Sequence, residues 1–475
     1  MKFTLTQKVA FNTIIQLGGK ILTTLIAVFT LGILTRYLGS SGYGAYTTIF
    51  AFLGLFGILA DLGLFSIAVR EMAKNPEKAE FIFGNILTIR ILAIFLFLPF
   101  AILIGFLIPS YSFEIKLGIL IGSGVIFFVL LNQVIASIFQ VNLRMDRLAI
   151  SEILGRSVIL ALIILFVKLK FSLLSIIGAN VGGNFVLFLA SFLMARKFLK
   201  IKFYWDLDFV KKILSETLPL ALILVLGLIY FKIDALMLSL IKGIKAVGIY
   251  GLPYKILEII VTFPTIFVGL VFPILSRYIK EDKEKFKRAF QKAFDFLSIS
   301  SVPIVFGLFM VSEKVIKLIA PGKEFEDSIF VLQILVFAIL FIFFGTLLGN
   351  TIIAVNLQKK LVFVYILCVT LNIVGNSFLI PSYSYFGAAF TTILTEGLMV
   401  FLSFILVFKY LDLFPKISIL GKAIISGIAM ILVLFIFREI NIFLLIFIGA
   451  ISYGVFLYLT KGISKELIQE FFIKK

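Results

Sequence analysis

The chain has 475 residues, 61% of them hydrophobic and only 15% charged, with a net charge of +19, no histidine and one cysteine. No stretch between apolar segments exceeds roughly 20 residues, which excludes a soluble catalytic domain. The missing histidines remove the commonest general base and metal ligand, and the lone Cys368 excludes an intrachain disulfide. The basic residues are dispersed over many short links, which suits an anionic membrane face and not nucleic acid.

A membrane span needs about 20 apolar residues to cross about 30 Å of hydrocarbon. By that ruler the sequence divides into fourteen predicted spans: 9–35, 43–69, 82–107, 116–140, 148–168, 172–195, 213–239, 246–275, 289–311, 328–355, 361–380, 386–408, 418–437 and 441–460. The first apolar run is too long for a signal peptide and no small-residue cleavage site closes it, so it reads as a span. Assigning alternate links to opposite sides puts about 29 Lys/Arg on the side of the N-terminus, about 10 on the other and about 5 inside spans. The two richest links, Arg196 to Lys212 and Arg277 to Lys292, both fall on the N-terminal side. Both termini are therefore expected in the cytoplasm, with the chain in the cytoplasmic (inner) membrane. The Lys-, Ile- and Phe-rich composition points to a prokaryotic source.

The chain also repeats itself. Gly39, Gly44 and Tyr46, in the hairpin that joins spans one and two, match Gly243, Gly248 and Tyr250 in the one that joins spans seven and eight. Val141-Asn142-Leu143 recurs as Val355-Asn356-Leu357, and Gly178-Ala179 as Gly387-Ala388. Six spans per repeat is an even number, so the halves point the same way and relate by an axis along the membrane normal. The expected fold is an all-α integral membrane protein of about 14 transmembrane helices. Two six-helix lobes, 1–200 and 201–410, should face a central cavity. Residues 411–475, with spans thirteen and fourteen and a cytoplasmic tail, should pack outside them.

Ionisable groups inside spans are costly, so they mark cavities or partners. Lys20 sits about 16 Å deep in the first span, with Gln16 and Asn12 on its helical face. Lys255 in span eight has Glu258 one turn on, in a helix punctuated by Pro253, Pro264 and Pro273. Arg90 and Arg156 lie in spans three and five. Lys20, Lys255, Arg90, Arg156, Gln16 and Asn12 are the candidate substrate-cavity residues. Glu396, Glu258 and Asp61 are candidates for ion coupling or structural pairing, with Arg70 as one partner for Asp61. Lys232 and Asp234 are expected at the membrane interface, and the in-span Asn residues are expected to glue helices together.

The chain resembles the polysaccharide flippases of the multidrug/oligosaccharidyl-lipid/polysaccharide exporter superfamily. The likeness rests on Leu38-Gly39 with Gly42-Tyr43-Gly44-Ala45-Tyr46, on Ala60-Asp61-Leu62-Gly63-Leu64, and on Val69-Arg70-Glu71. It continues in Ala246-Val247-Gly248-Ile249-Tyr250 and Phe386-Gly387-Ala388-Ala389. The fourteen-span layout is also similar to that of lipid II flippases. The resemblance implies export of a lipid-linked sugar across the cytoplasmic membrane by alternating access. No catalytic residue, metal or resident cofactor is expected, and Na+ or H+ coupling is left open. The expected partners are the lipid-linked sugar and membrane lipids, with the chain acting as a monomer. The competing reading is a cation-coupled multidrug exporter of the same superfamily, which needs carboxylates where span one offers Lys20. A membrane-embedded glycosyltransferase would need a large extracytoplasmic loop or an acidic interfacial motif, and neither is visible.

Overall fold

The computed structural model describes residues 5–462, which form thirteen α-helices and two short 3-10 turns and contain no strand. The tail expected in the cytoplasm, beyond residue 462, lies outside the described residues. Packing divides the chain into two compact units, Met1–Gly248 and Ile249–Lys475.

The first unit holds α1 (Leu5–Asp61), α2 (Leu64–Lys74), α3 (Ala79–Leu107), α4 (Phe113–Val141), α5 (Met145–Lys168), α6 (Leu173–Ala195) and α7 (Leu207–Ile241). At 1.5 Å per residue, the 57 residues of α1 would run to about 85 Å, nearly three times the hydrocarbon thickness. The helix breaks instead at Gly39, whose φ of 64° and ψ of −175° leave the helical region. Only glycine takes a positive φ without steric cost. Its two limbs then follow different neighbours. Asn12 and Gly19 in the first limb meet Met145 and Ala149 of α5. Ile49 and Leu53 in the second limb pack on Gly118 and Gly122 of α4, and Gly57 on Ile126. Within each series both numbers rise together, so each pair of helices runs parallel. The pairs Phe52–Gly105, Phe56–Phe100 and Asp61–Arg90 run oppositely, so α3 is antiparallel to the second limb. Span one thus runs parallel to span five, and span two parallel to span four and antiparallel to span three, in keeping with the fourteen-span reading.

Between α1 and α2 the backbone turns left-handed at Leu62 (φ 50°) and Gly63 (φ 68°). Helix α2 then buries Leu64, Ile67, Ala68, Glu71 and Met72 on one face. Their three- and four-residue spacing is that of an amphipathic helix. The core beneath α2 is apolar, built on Phe83, Ile86, Val134 and Phe139, all under 1% exposed.

The second unit contains most of α8 (Ile244–Glu281), then α9 (Lys283–Ile319), α10 (Asp327–Ala354), α11 (Gln358–Leu411), α12 (Ser418–Ile436) and α13 (Ile442–Leu459). Helix α11, at 54 residues, repeats the solution of α1 and breaks at Ser384 (φ 51°). Gly375 faces Thr391 and Gly387 lies against the Leu379 backbone, so the two limbs fold back on each other. Twelve helical stretches are apolar and long enough to cross a bilayer, among the described residues. Two of them are the bent helices, and counting their limbs separately gives fourteen crossings.

Helices α8 and α9 outrun the predicted spans 246–275 and 289–311, because helix continues where apolarity ends. Arg277 pairs with Glu281 one turn on at 2.9 Å. Asp282 caps α9 by accepting from the amides of Glu284 and Lys285 at 2.9 and 3.0 Å. The Lys285 amide is the main influence holding the Asp282 carboxyl below its ordinary value.

Helices α12 and α13 pack on α9. The Tyr453 hydroxyl donates to the Ile299 carbonyl at 2.9 Å and Lys314 donates to the Ile440 carbonyl at 2.8 Å. Gln291 grips the Lys416 backbone through both its amide and its carbonyl. The expected lobe limits of 200 and 410 follow the repeat, whereas the packing units divide after Gly248 because α7 lies against α1.

Candidate functional site

Two hydrogen bonds fix α5 against the first limb of α1. The Asn12 Oδ1 accepts from the Met145 amide at 2.9 Å, and the Tyr37 hydroxyl donates to the Phe171 carbonyl at 2.8 Å. Both join residues close to 133 apart (separations of 133 and 134). In that register Lys20 falls within two residues of the level of Glu152. Glu152 is within electrostatic reach of both Lys20 and Arg156, and Arg156 follows it by one helical turn. Arg156 in turn reaches Tyr46, whose hydroxyl donates to the Asn180 Oδ1 at 3.2 Å. Lys20, Arg156 and Gln16 are exposed and Glu152 is half-buried. Charged side chains at mid-span are too costly to face lipid, so this open face belongs to a polar space. Among the described residues its balance is two cations to one carboxylate.

The remaining expected residues fall elsewhere. Arg90, expected as a cavity cation, is completely enclosed. One terminal nitrogen binds Asp61 and the other donates to the Ala60 carbonyl at 3.0 Å. Arg90 therefore pins the end of α1 at the break before α2. Asp61 takes this partner, while Arg70 pairs with Glu71 at 2.9 Å. Arg90→Ala is expected to cost about 3–5 kcal/mol, because it strands a largely buried carboxylate. Asp61→Asn should cost less. Thermal unfolding of the purified protein would check both.

Asn12, also expected in the cavity, is 8% exposed and is committed to the start of α5. It positions the site and does not line it. Lys255 and Glu258 form an ion pair at 2.7 Å in α8, with the lysine side chain about half exposed. Glu396 is buried in α11, within electrostatic reach of Tyr365 and Cys368. Asp234, expected near the membrane interface, is 2% exposed and so packed against protein. The in-span asparagines bond mainly within their own helices: Asn180 to Ile176, Asn184 to Asn180, Asn350 to Thr346. Each amide satisfies a local carbonyl before it can bridge to a neighbour.

The repeat is realised in backbone geometry. Gly39 and Gly243 both have positive φ, 64° and 85°. Within the first unit, a Cβ added to Gly44 would overlap the Ile244 carbonyl oxygen, and one added to Gly248 would overlap the Ser40 carbonyl oxygen. Residues 40 and 44 are the repeat equivalents of 244 and 248, so each turn makes the same contact on the other. Such reciprocity is the mark of a two-fold relation. Tyr46 bonds to Asn180 in span six, and Tyr250 bonds to Thr392 in span twelve at 3.1 Å. Further on, the left-handed caps are Leu143 and Asn356, so the geometric match is one residue out of step with the sequence match.

Glu152 is not among the candidate residues read from the sequence. The i,i+4 spacing to Arg156 was readable. The partnership with Lys20 depends on a helix register more than a hundred residues away.

A family model described as polysaccharide biosynthesis protein matches residues 9–279, more than half of the chain, and one described as MatE matches residues 219–378. Among solved structures, the lipid II flippase MurJ in an inward closed conformation superposes with a TM-score of 0.78 at 18% identity, covering 97% of this chain and all of that one. An inward-facing MATE multidrug resistance transporter of the MOP superfamily gives 0.69 at 17% identity, over 84% and 99% of the two chains. These likenesses establish the fold.

The chain belongs to the polysaccharide biosynthesis protein family. It is similar to the probable flippase AglR of Haloferax volcanii, 26% identical over 51% of this chain and 52% of that protein. It thus spans about half the length of that relative. The capsular polysaccharide biosynthesis protein CapF of Staphylococcus aureus is 28% identical over 58% and 71% of the two chains. The probable low-salt glycan biosynthesis flippase Agl15 of Haloferax volcanii is 21% identical over 92% and 91%.

Proposed function

We propose that this chain is a flippase that moves an anionic lipid-linked oligosaccharide, of polyprenyl-diphosphate type, across the cytoplasmic membrane by alternating access. The observation that carries the reading is the open face of Lys20, Glu152 and Arg156, a net positive site at mid-span. A polyprenyl-diphosphate sugar is anionic at its head and apolar along its tail. The cations hold the diphosphate while the tail stays in lipid, and no covalent chemistry is needed. Membership of a polysaccharide biosynthesis family and similarity to proteins named as flippases support it.

Glu396, buried in α11, is the carboxylate proposed for Na+ or H+ coupling. The chain acts as a monomer, because one chain carries both repeats. It resides in the cytoplasmic membrane of a prokaryote with both termini inside. The competing multidrug reading draws on the MatE match over residues 219–378. It would place cationic drugs against a face where cations outnumber carboxylates.

Reconstituted vesicles test the function directly. The protein should carry a fluorescent lipid-linked sugar between leaflets and leave cationic dyes in place; dye export without lipid transfer would establish the multidrug alternative. For orientation, single cysteines at Lys202 and Lys283 in a Cys368→Ala background should resist an impermeant thiol reagent applied outside intact cells. Labelling of either would reverse the assigned sidedness.

A further inference from the structure

The open face of the first unit contains one group that an anion-binding site does not need. Glu152 projects from α5 between two cations that would otherwise be available to a phosphate. Its place is fixed by geometry. The register set by Asn12–Met145 and Tyr37–Phe171 brings Lys20 within two residues of its level, Gly19 packs on Ala149 one turn before it, and Arg156 follows one turn after it. Lys20 and Arg156 act on it as charges and not as hydrogen-bond donors. The three groups are thus near enough to compensate one another and are not locked together.

We infer that Glu152 is a resident counter-ion which the diphosphate head group displaces from Lys20 and Arg156, so that binding at this site is an exchange of one anion for another. The inference rests on the flippase reading and adds how the site releases its cargo. Two uncompensated cations at mid-span would be costly when the site is empty and would hold a multiply charged head group too firmly when it is full. A carboxylate in the same field lowers both costs. It satisfies the cations between cycles and competes with the diphosphate for them at release. Exposure orders the groups in the sense this requires, with the cations open and the carboxylate half-buried behind them. Gln16, exposed one turn before Lys20, offers a neutral amide to the same ligand.

The model makes affinity and turnover move in opposite directions. Glu152→Gln keeps the shape and removes the competing charge. Purified protein in detergent should then bind farnesyl diphosphate about tenfold more tightly than wild type. In vesicles the same variant should flip a fluorescent polyprenyl diphosphate several-fold more slowly. Glu152→Asp, which withdraws the carboxylate by one methylene, should lie between the two in both measurements. It also supplies the comparison should Glu152→Gln fail to fold. Inorganic pyrophosphate separates sources of the ligand. If it gains affinity in Glu152→Gln as farnesyl diphosphate does, the diphosphate alone is what Glu152 opposes; a gain confined to farnesyl diphosphate ties the exchange to the lipid-borne form. Weaker or unchanged binding of both probes in Glu152→Gln, with wild type binding normally, overturns the counter-ion role and leaves the flippase reading standing. Failure of wild type to bind either diphosphate removes both.

Discussion

Lys20→Ala or Arg156→Ala, made singly, should abolish transport of a lipid-linked sugar while leaving the protein inserted and folded. Both side chains are exposed on the open face, so truncation removes charge without opening a cavity in the packing. Losing one member of a desolvated charge pair costs about 2–5 kcal/mol, which corresponds to about thirtyfold or more in head-group affinity. Lys20→Arg should retain part of the activity, since charge is the first requirement, although the planar fork meets phosphate differently. Lys20→Glu should be worse than Ala, because it places two carboxylates at one level of the site. Lys255→Ala is expected to be milder than Lys20→Ala, since Glu258 already satisfies Lys255 at 2.7 Å. Flipping assays in vesicles, normalised to inserted protein, read all five. Normal transport by both Lys20→Ala and Arg156→Ala would defeat the cationic site.

Span number and direction were legible because they depend on local quantities. A run of about 20 apolar residues reports a crossing wherever it occurs. Gly39 marked the first bend, since glycine alone takes positive φ freely. Ser384 gave no such signal, and the bend there was inferred from span length. The charges were harder. Arg90 and Lys20 look alike in sequence, each a cation deep in an apolar run. What separates them is the turn at Leu62-Gly63, which carries the Ala60 carbonyl and Asp61 to Arg90. Among the described residues no equivalent acceptor closes on Lys20, which lies within electrostatic reach of Glu152. Asn12 misled for a related reason. Its spacing from Lys20 put it on the site's helical face, but α5 begins there, and a helix N-terminus takes a side-chain acceptor. Periodicity gives the face of a helix. It does not give the neighbour that covers that face.

The second large effect is expected at a pair of glycines with no charge at all. Gly44→Ala should bring a methyl group into the Ile244 carbonyl oxygen and to 2.9 Å from the Gly248 nitrogen. Both obstacles are backbone, so no rotamer change relieves them and the turns themselves must part. Gly248→Ala drives its methyl into the Ser40 carbonyl oxygen and should act alike. Overpacking of this kind costs about 1–3 kcal/mol and occasionally more. Both sites lie under one reciprocal contact, so their effects should not add: once the first methyl has separated the turns, the second finds room. The double variant Gly44→Ala/Gly248→Ala should therefore be nearly as stable as the worse single variant. Gly54→Ala provides the control, because nothing lies within 4 Å of the added methyl and its helix is otherwise unchanged. It should be neutral or slightly stabilising. Thermal unfolding of the four proteins in detergent measures the cycle. Single variants as stable as Gly54→Ala would mean that the two turns do not touch. Strictly additive losses would mean that they touch neighbours other than each other, and the two-fold contact between the repeats would have to be given up.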